Sequence, residues 1–363
     1  MTDAEKLAEG DSTEVHDADR PPGSGTGTQP AAQIETTSTE PVLRVQNLVK
    51  HFPIRRGVFG KQVGAIHAVD DVSFDLYAGR TLGLVGESGS GKTTTGRAVI
   101  RLVEPTAGSV MLDGRPLTAE TRAKDLARGM SMVFQDPMGS LNPRLSAVAN
   151  VAEPLRIHKS GTAVERRARA TELLDQVGLR ADQVERVPAE FSGGQRQRIG
   201  IARALALSPK VIILDEPASA LDVSVQAQVL NLLRRLQSDL GIAFLFISHD
   251  LSVVRHLCDR VAVMYLGEIV EIGDQEQIFT NPLHPYTQAL LSAVPIPDPD
   301  AKRERIVLKG DLPSPVDPPA GCRFAGRCHR AQDICDVEAP VLKIRTGAQP
   351  VACHFPGPAG GAG

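Results

Sequence analysis

The 363-residue chain has no tryptophan, and aromatic residues make up only 4% of it. Long apolar runs are also missing. The best stretches, such as IAFLFI at 242–247, fall far short of the roughly 18 to 20 residues that a membrane-crossing helix needs, so no transmembrane span is expected. The opening residues MTDAEKLAEGD are acidic and contain no apolar segment, and no secretory signal is expected there. Neither sign of charge dominates. A net charge of −3 gives no footing for general binding to nucleic acid or to an anionic membrane. The balance is uneven, however: residues 1–40 hold nine Asp/Glu against two Lys/Arg, which leaves about +4 on the remainder. Cysteine is scarce, with five in all, yet four of them (Cys322, Cys328, Cys335 and Cys353) fall in the last 42 residues. In a reducing compartment such a cluster points to metal more than to disulfides. The length exceeds what one hydrophobic core organises, so one large domain with appendages, or two domains, is expected.

Residues 1–40 have no aromatic residue and are rich in Thr, Ser, Gly, Pro and acids. They cannot bury enough apolar surface to offset their ordering entropy, and are read as a disordered acidic tail. The pattern changes at Val42. LRVQNLVKHF (43–52) and AVDDVSFDLYAG (68–79) alternate as strands do, and TLGLV (81–85), VIIL (211–214) and IAFLFI (242–247) have the length of buried parallel strands. A polar, helix-favouring region fills about 144–190, and VAVMYLGEIVEIG (261–273) reads as two strands joined at Leu266-Gly267. Short buried strands alternating with helices indicate an α/β core with a parallel sheet. No internal repeat appears, so one such α/β unit is expected.

Gly86-Glu87-Ser88-Gly89-Ser90-Gly91-Lys92-Thr93 matches the phosphate-loop pattern G-x-x-x-x-G-K-[ST] throughout, with a strand-like run before it and a helical stretch after. Loop and helix N–H groups there converge on phosphates, Lys92 brings a positive charge to the β- and γ-phosphates, and the Thr93 hydroxyl can bind Mg²⁺. Residues 86–94, Thr94 included, form the candidate ATP-binding set. VIILDE (211–216) is an apolar run ending in two carboxylates. Asp215 is suited to the Mg²⁺ shell and Glu216 to polarising a water for attack on the γ-phosphate. A third element, FSGGQRQRIGIARAL (191–205), is a polar turn feeding a helix, with Ser192, Gly193, Gly194 and Gln195 at its start. It makes a second anion-binding helix start in a chain whose nucleotide needs only one. The economical reading is that it serves a nucleotide bound by another subunit.

At this point the sequence resembles an ATP-binding-cassette (ABC) ATPase, in which such a signature turn completes the partner's site across a dimer. The resemblance implies that Gln135 in VFQDP is the Q-loop residue, associated with Mg²⁺ and the attacking water. It makes Ser219 and Asp222 the D-loop, and His249 in FISHD the switch histidine. Phe191 departs from the Leu commonest there and is expected to pack. By position Phe52 resembles the adenine-stacking aromatic, with Phe59 or simple core packing as alternatives, because residues 55–68 look like an insertion. The implied fold is a phosphate-loop α/β core with an antiparallel β-portion, spanning about 41–280 and including a helical subdomain at about 137–195. A small Cys-bearing extension occupies 281–363.

Within the family, the 55–68 segment, NPLHPYTQALLSAVPIPDPD (281–300), LPSPVDPPAGC (312–322) and the terminal cysteines resemble the ATPase subunits of bacterial oligopeptide/dipeptide importers. That resemblance implies ATP hydrolysis driving import through two separate membrane permease subunits. It also implies a paralogous second cassette, an extracytoplasmic peptide-binding protein and a peripheral place on the cytoplasmic membrane face. The groove beside Gln135 would take the permease's coupling helix, with DPMGSLNPRLS (136–146) lining it. Another importer substrate (nickel, glutathione) is the alternative, and a non-transport ABC ATPase the more distant one. A translation-factor ABC protein needs two cassettes, and a DNA-repair one splits its cassette with a coiled coil; neither feature is present. The cysteine spacing C-x₅-C-x₆-C-x₁₇-C lacks the C-x₂₋₄-C knuckle usual for zinc. By resemblance to some members of this branch, the four thiols would hold a [4Fe–4S] cluster, with zinc or no metal as alternatives. Cys258 stands apart and is expected in the core.

Overall fold

Two sheets with different hydrophobic periods organise the chain. The structure is a computed structural model describing residues 40–57, 61–294, 305–308, 310–311, 313–344 and 349–357. The acidic segment (except Glu40), Phe59 and residues 295–300 lie outside the described residues.

Strands β1 (Leu43–Arg56) and β2 (Lys61–Leu76) pair antiparallel from Leu43↔Leu76 to Arg56↔Lys61. The stretch read as an insertion at 55–68 is therefore largely the outer end of one long hairpin. Its inner half buries Leu43, Val45, Leu48, Val69, Val72 and Phe74, while its outer half is mostly exposed. Strands β4 (Ala107–Leu112) and β5 (Arg115–Pro116) complete this antiparallel sheet in the order β2-β1-β4-β5.

The second sheet runs β11-β12-β10-β9-β3-β8-β7-β6. Strands β3 (Thr81–Val85), β6 (Met130–Val133), β7 (Val211–Asp215), β8 (Ala243–Ser248) and β9 (Arg260–Tyr265) are parallel. Runs such as TLGLV and VIILD are buried along their whole length, as a sheet covered on both faces requires. One face packs on the antiparallel sheet and the other on helices. Strand β10 (Glu268–Asp274) returns antiparallel through Leu266 and Gly267, both at positive φ, as a tight hairpin needs. Cys258 is buried, as expected, and its sulfur lies 2.8 Å from where a Cβ on Gly83 would sit, so only glycine fits at that point of β3.

Helix α1 (Lys92–Val99) follows the phosphate loop, and α2 (Ala123–Gly129) precedes β6. Between β6 and β7 lie α3 (Pro137–Ser140), α4 (Ala147–Ile157), α5 (Ala163–Gln176) and α6 (Gly193–Leu205). Thr162 and Glu165 close a capping box on α5, which fixes where that helix starts. Phe191 is buried in the core, as expected of a packing residue. Helices α7 (Val223–Leu240) and α8 (Leu251–Leu257) flank β8, and α9 (Gln275–Thr280) and α10 (Pro285–Ser292) follow β10. The extension adds α11 (Asp333–Val337) and two short strands, β11 (Lys343–Ile344) and β12 (Pro350–Val351), which widen the sheet beyond β10. Buried Glu271 on β10 accepts the N–H groups of Leu283 (2.6 Å) and His284 (3.1 Å) and a bond from Gln349, tying α10 and β12 to the sheet. Among the described residues no helix is long and apolar enough to cross a membrane.

Candidate nucleotide site

The phosphate loop joins β3 to α1, and its glycines are there because nothing larger fits. A Cβ on Gly86 would lie 2.1 Å from the Met264 carbonyl oxygen, and one on Gly91 2.2 Å from that of Ala68; both residues have positive φ. The loop folds over Lys92, whose ammonium donates to the Gly86 and Glu87 carbonyls at 2.8 Å each and to Ser90 Oγ at 3.3 Å. Burial holds the Lys92 pKa below its usual value, against the opposing pull of Glu216, Asp215 and Glu87. The loop faces a cavity of about 660 Å³ lined by Gly86, Glu87, Ser88, Gly89, Gly91, Lys92, Thr93 and Thr94. Gln135, Glu216 and His249 line its far side. Ser90 is buried under the loop.

Strand β7 delivers both acids. Thr93 Oγ1 donates to Asp215 Oδ1 at 2.8 Å, while Asp215 Oδ2 is buried with no hydrogen-bond partner. Burial raises the Asp215 pKa, with the Thr93 bond opposing. A carboxylate oxygen left bare beside a threonine hydroxyl and a phosphate loop fits a divalent cation's donor set. Glu216 stands at φ 47°, an uncommon backbone conformation for a residue with a side chain, held by its N–H bond to the Ile247 carbonyl at 3.0 Å. That turn sends its carboxylate between two partners: Gln135 Nε2 donates to Oε2 at 3.0 Å, and His249 Nδ1 lies 3.0 Å from Oε1. Residues from β6, β7 and β8 thus meet at the carboxyl end of the parallel strands.

The signature residues are elsewhere. None of Ser192, Gly193, Gly194 and Gln195 is among the residues lining this cavity. Ser192 caps α6, and Gln195 returns the bond to the Ser192 N–H at 3.0 Å, so Gln195 is engaged within its own helix start. A Cβ on Gly194 would meet Val225 Cγ1 at 2.3 Å, so glycine there is a packing requirement of α7. In the D-loop, Ser219 donates to the Glu216 carbonyl at 3.2 Å, and Asp222 precedes α7 without capping it. Phe52 is not among the cavity residues either. It pairs with Ile66 across the hairpin, and its ring lies 4.8 Å from the Lys50 ammonium. Ile66 and Ala68 line the cavity instead, which the alternation of β2 did not single out.

A second cavity of about 420 Å³ lies beside Phe134, between β6 and α4, with Leu126, Met132, Pro154 and Ile157 on its walls. Neither Gln135 nor residues 136–146 line this cavity, so it is not the groove expected beside Gln135; Asp136 caps α3, accepting the Met138 N–H at 2.9 Å.

The extension reaches the phosphate loop through contacts no local pattern signals. Arg327 makes a two-pronged ion pair with Glu87, 240 positions away in sequence, and the Glu87 N–H donates to the Tyr286 hydroxyl at 2.8 Å. Arg323 bonds the Leu266 carbonyl and Asp70, which also pairs with His51 and His67. That His51–His67–Asp70 group is the only set of three His, Cys, Asp or Glu ligand atoms within 4.8 Å of one another among the described residues. The four extension cysteines therefore do not form so tight a set. Cys328 Sγ accepts the Arg330 N–H at 3.3 Å. Burial pushes the Cys322 and Cys353 thiols up to about 11.

Comparison with known proteins follows the same geometry. Residues 69–219 match the ABC transporter family, and residues 270–335 match the oligopeptide/dipeptide transporter C-terminal region. The oligopeptide transport ATP-binding protein AppF of Bacillus subtilis is 52% identical over 327 residues, covering 89% of this chain and 99% of AppF. The probable peptide ABC transporter ATP-binding protein y4tS of Sinorhizobium fredii is 50% identical, over 89% of this chain and 92% of its own. Among solved structures, the dimeric, post-hydrolysis ATP-binding cassette MJ0796 with ADP and Pi aligns with a TM-score of 0.57 at 30% identity. That match covers 64% of this chain and 98% of MJ0796.

Proposed function

Because the chain belongs to the family of ABC-transporter ATP-binding proteins of the oligopeptide/dipeptide type, we propose that it hydrolyses ATP to drive peptide import through separate membrane permease subunits. The observation that carries the reading is the convergence of the phosphate loop, Glu216, Gln135 and His249 on one cavity, with Asp215 bonded to Thr93 beside it, joined to the family's C-terminal region. Lys92, resting on loop carbonyls, would exchange those bonds for phosphate oxygens when ATP enters. Asp215 and Thr93 would hold Mg²⁺, with Gln135 beside it; the ion when bound neutralises charge on the β- and γ-phosphate oxygens. Glu216 takes a proton from the attacking water as its oxygen bonds to the γ-phosphorus and the β–γ bridging bond breaks toward ADP. His249 and Gln135 hold Glu216 from both sides, and His249 turns to the γ-phosphate. Ser192, Gly193, Gly194 and Gln195 would complete the site of a second, paralogous cassette, since they stand outside this chain's own cavity. The cavity between β6 and α4 would receive a permease helix, in keeping with a peripheral position on the cytoplasmic face of the membrane.

For the extension we assign Cys322, Cys328, Cys335 and Cys353 to a structural [4Fe–4S] cluster. The Arg330 N–H, 3.3 Å from Cys328 Sγ, offers a thiolate there one backbone hydrogen bond against the opposing effect of burial, and the reading rests chiefly on the resemblance to cluster-bearing members of this branch. The spacing C-x₅-C-x₆-C-x₁₇-C lacks the C-x₂₋₄-C knuckle usual for zinc, which favours the cluster over a single zinc ion.

The transport reading is tested by co-reconstituting the chain with permeases, the second cassette and a peptide-loaded binding protein in liposomes. ATP-dependent uptake of labelled peptide is expected. Robust ATP turnover that peptide never stimulates, with no uptake, would overturn it.

A further inference from the structure

Glu87 is the second residue of the phosphate loop, and three of its groups are held at once. Its carbonyl accepts from Lys92 at 2.8 Å, its N–H donates to Tyr286 Oη at 2.8 Å, and its carboxylate receives Arg327 at 2.7 and 3.2 Å. Only the first of these partners belongs to the loop. Tyr286 is fully buried on α10, and the Arg327 side chain is 9% exposed between Cys322 and Cys335 in sequence.

A rigid platform stands behind the pair. Tyr265 packs edge-on against Tyr286 and Phe324, with centroids 4.7 and 5.2 Å away, Tyr286 and Phe324 are tilted with centroids 5.5 Å apart, and the Arg327 guanidinium lies 5.9 Å from the Tyr265 ring and 3.5 Å from its hydroxyl. A bidentate guanidinium–carboxylate pair on such a base has one geometry, unlike a surface ion pair between two mobile chains. Glu87 itself cannot supply the loop's affinity for phosphate, because a carboxylate beside a triphosphate repels it. Neutralised and drawn back by Arg327, it ceases to oppose the nucleotide and instead fixes the loop backbone whose N–H groups must converge.

We infer that Arg327, with Tyr286, is a positioning residue for nucleotide binding: the extension holds Glu87 and thereby keeps the phosphate loop preformed. This rests on the reading of the loop as the ATP site and adds the dependence of that site on the extension. Without the clamp, the loop would be ordered by the nucleotide itself, and affinity would carry that cost. The chemistry groups Glu216, Gln135 and His249 lie across the cavity and keep their contacts, so the loss falls on KM and Kd more than on kcat.

The test is equilibrium binding of Mg·ATP to the full chain, by titration calorimetry below its unfolding range, for Arg327→Met, Glu87→Gln, the double variant, Arg327→Lys and Tyr286→Phe. Arg327→Met is expected to weaken binding about tenfold, the worth of a charge-assisted bond, with Lys restoring part of it. Tyr286→Phe preserves the buried ring, removes only the acceptor, and is expected to weaken binding a few-fold. The double variant should bind about as Glu87→Gln alone does and no worse than Arg327→Met, because no freed carboxylate is left beside the phosphates, a non-additivity that general destabilisation does not produce. Should Arg327→Met prevent folding, Glu87→Gln and Tyr286→Phe still decide. Wild-type affinity in these variants, or fully additive losses, overturns the clamp. Failure of the wild-type chain to bind ATP would instead sink the nucleotide-site reading itself.

Discussion

Glu216 shows most directly how a single residue's backbone serves its chemistry. An L-residue at φ 47° costs energy that a strand end does not ordinarily bear, and the cost is met by the N–H bond to Ile247 and by two side chains gripping the carboxylate. Asp215, one residue earlier, stays within the strand, with one oxygen bonded to Thr93 Oγ1 and the other buried without a partner. Adjacent acids thus face different tasks because the chain turns between them. Glu216→Gln preserves the size and both neighbours but cannot accept the water's proton. Hydrolysis, followed as phosphate release, is expected to fall by about 10² or more while Mg·ATP binding stays within a few-fold of wild type. Turnover near the wild-type rate, with the partner's site silenced, would remove Glu216 from the role. Lys92 differs in kind. Its partners are loop carbonyls, which a triphosphate outcompetes, so its buried charge is stored beside the place where it is used.

At the scale of elements, legibility followed chain distance. The loop between β3 and α1, the carboxylates closing β7 and the turn into α6 were readable because each is a local pattern with one physical reading. The β9–β10 hairpin was readable from its Leu-Gly turn. Residues 55–68 were not, since a strand that continues a hairpin into solvent loses the hydrophobic alternation that marks it. Arg323, Arg327 and Tyr286 were illegible for a deeper reason: their partners are set by how the extension lies on the sheet, through Glu271 and β12. The same extension has little apolar core of its own, and small units of that kind need a staple. Protein purified without oxygen is therefore expected to be brown, with about four irons per chain. Cys→Ser at Cys322, Cys328, Cys335 or Cys353 should bleach it and lower the thermal midpoint, while Cys258→Ser, in the main core, should leave the colour intact. Colourless anaerobic protein with no bound iron would end the cluster assignment.

Taken as a whole molecule, the chain has a nucleotide site assembled from its own β3, β6, β7 and β8, and a capped helix start at Ser192 that this site does not use. An exposed serine, exposed Gly193 and the N-terminus of a 13-residue helix are suited to a phosphate that this chain's own cavity does not bring to them, which is the proposal to be tested. A second subunit would supply one, and the likeness to a dimeric cassette gives the arrangement a precedent. The substitution that tests this has to avoid Gly194, where any side chain would strike Val225 and disturb α7. Ser192 is exposed, and Glu there keeps an oxygen acceptor near the helix start while adding negative charge where a triphosphate would approach. Ser192→Glu is expected to leave Mg·ATP affinity of the isolated chain unchanged, because its own loop is elsewhere. Mixed with the paralogous cassette in the Glu216→Gln background, the unsubstituted chain should form an ATP-dependent heterodimer in size-exclusion chromatography with mass determination. Adding Ser192→Glu should abolish that dimer. Loss of affinity in the isolated chain would show that Ser192 serves its own site, and an undiminished heterodimer would show that it serves none. A stable ATP-dependent dimer formed by the chain alone would replace the paralogue with a second identical copy.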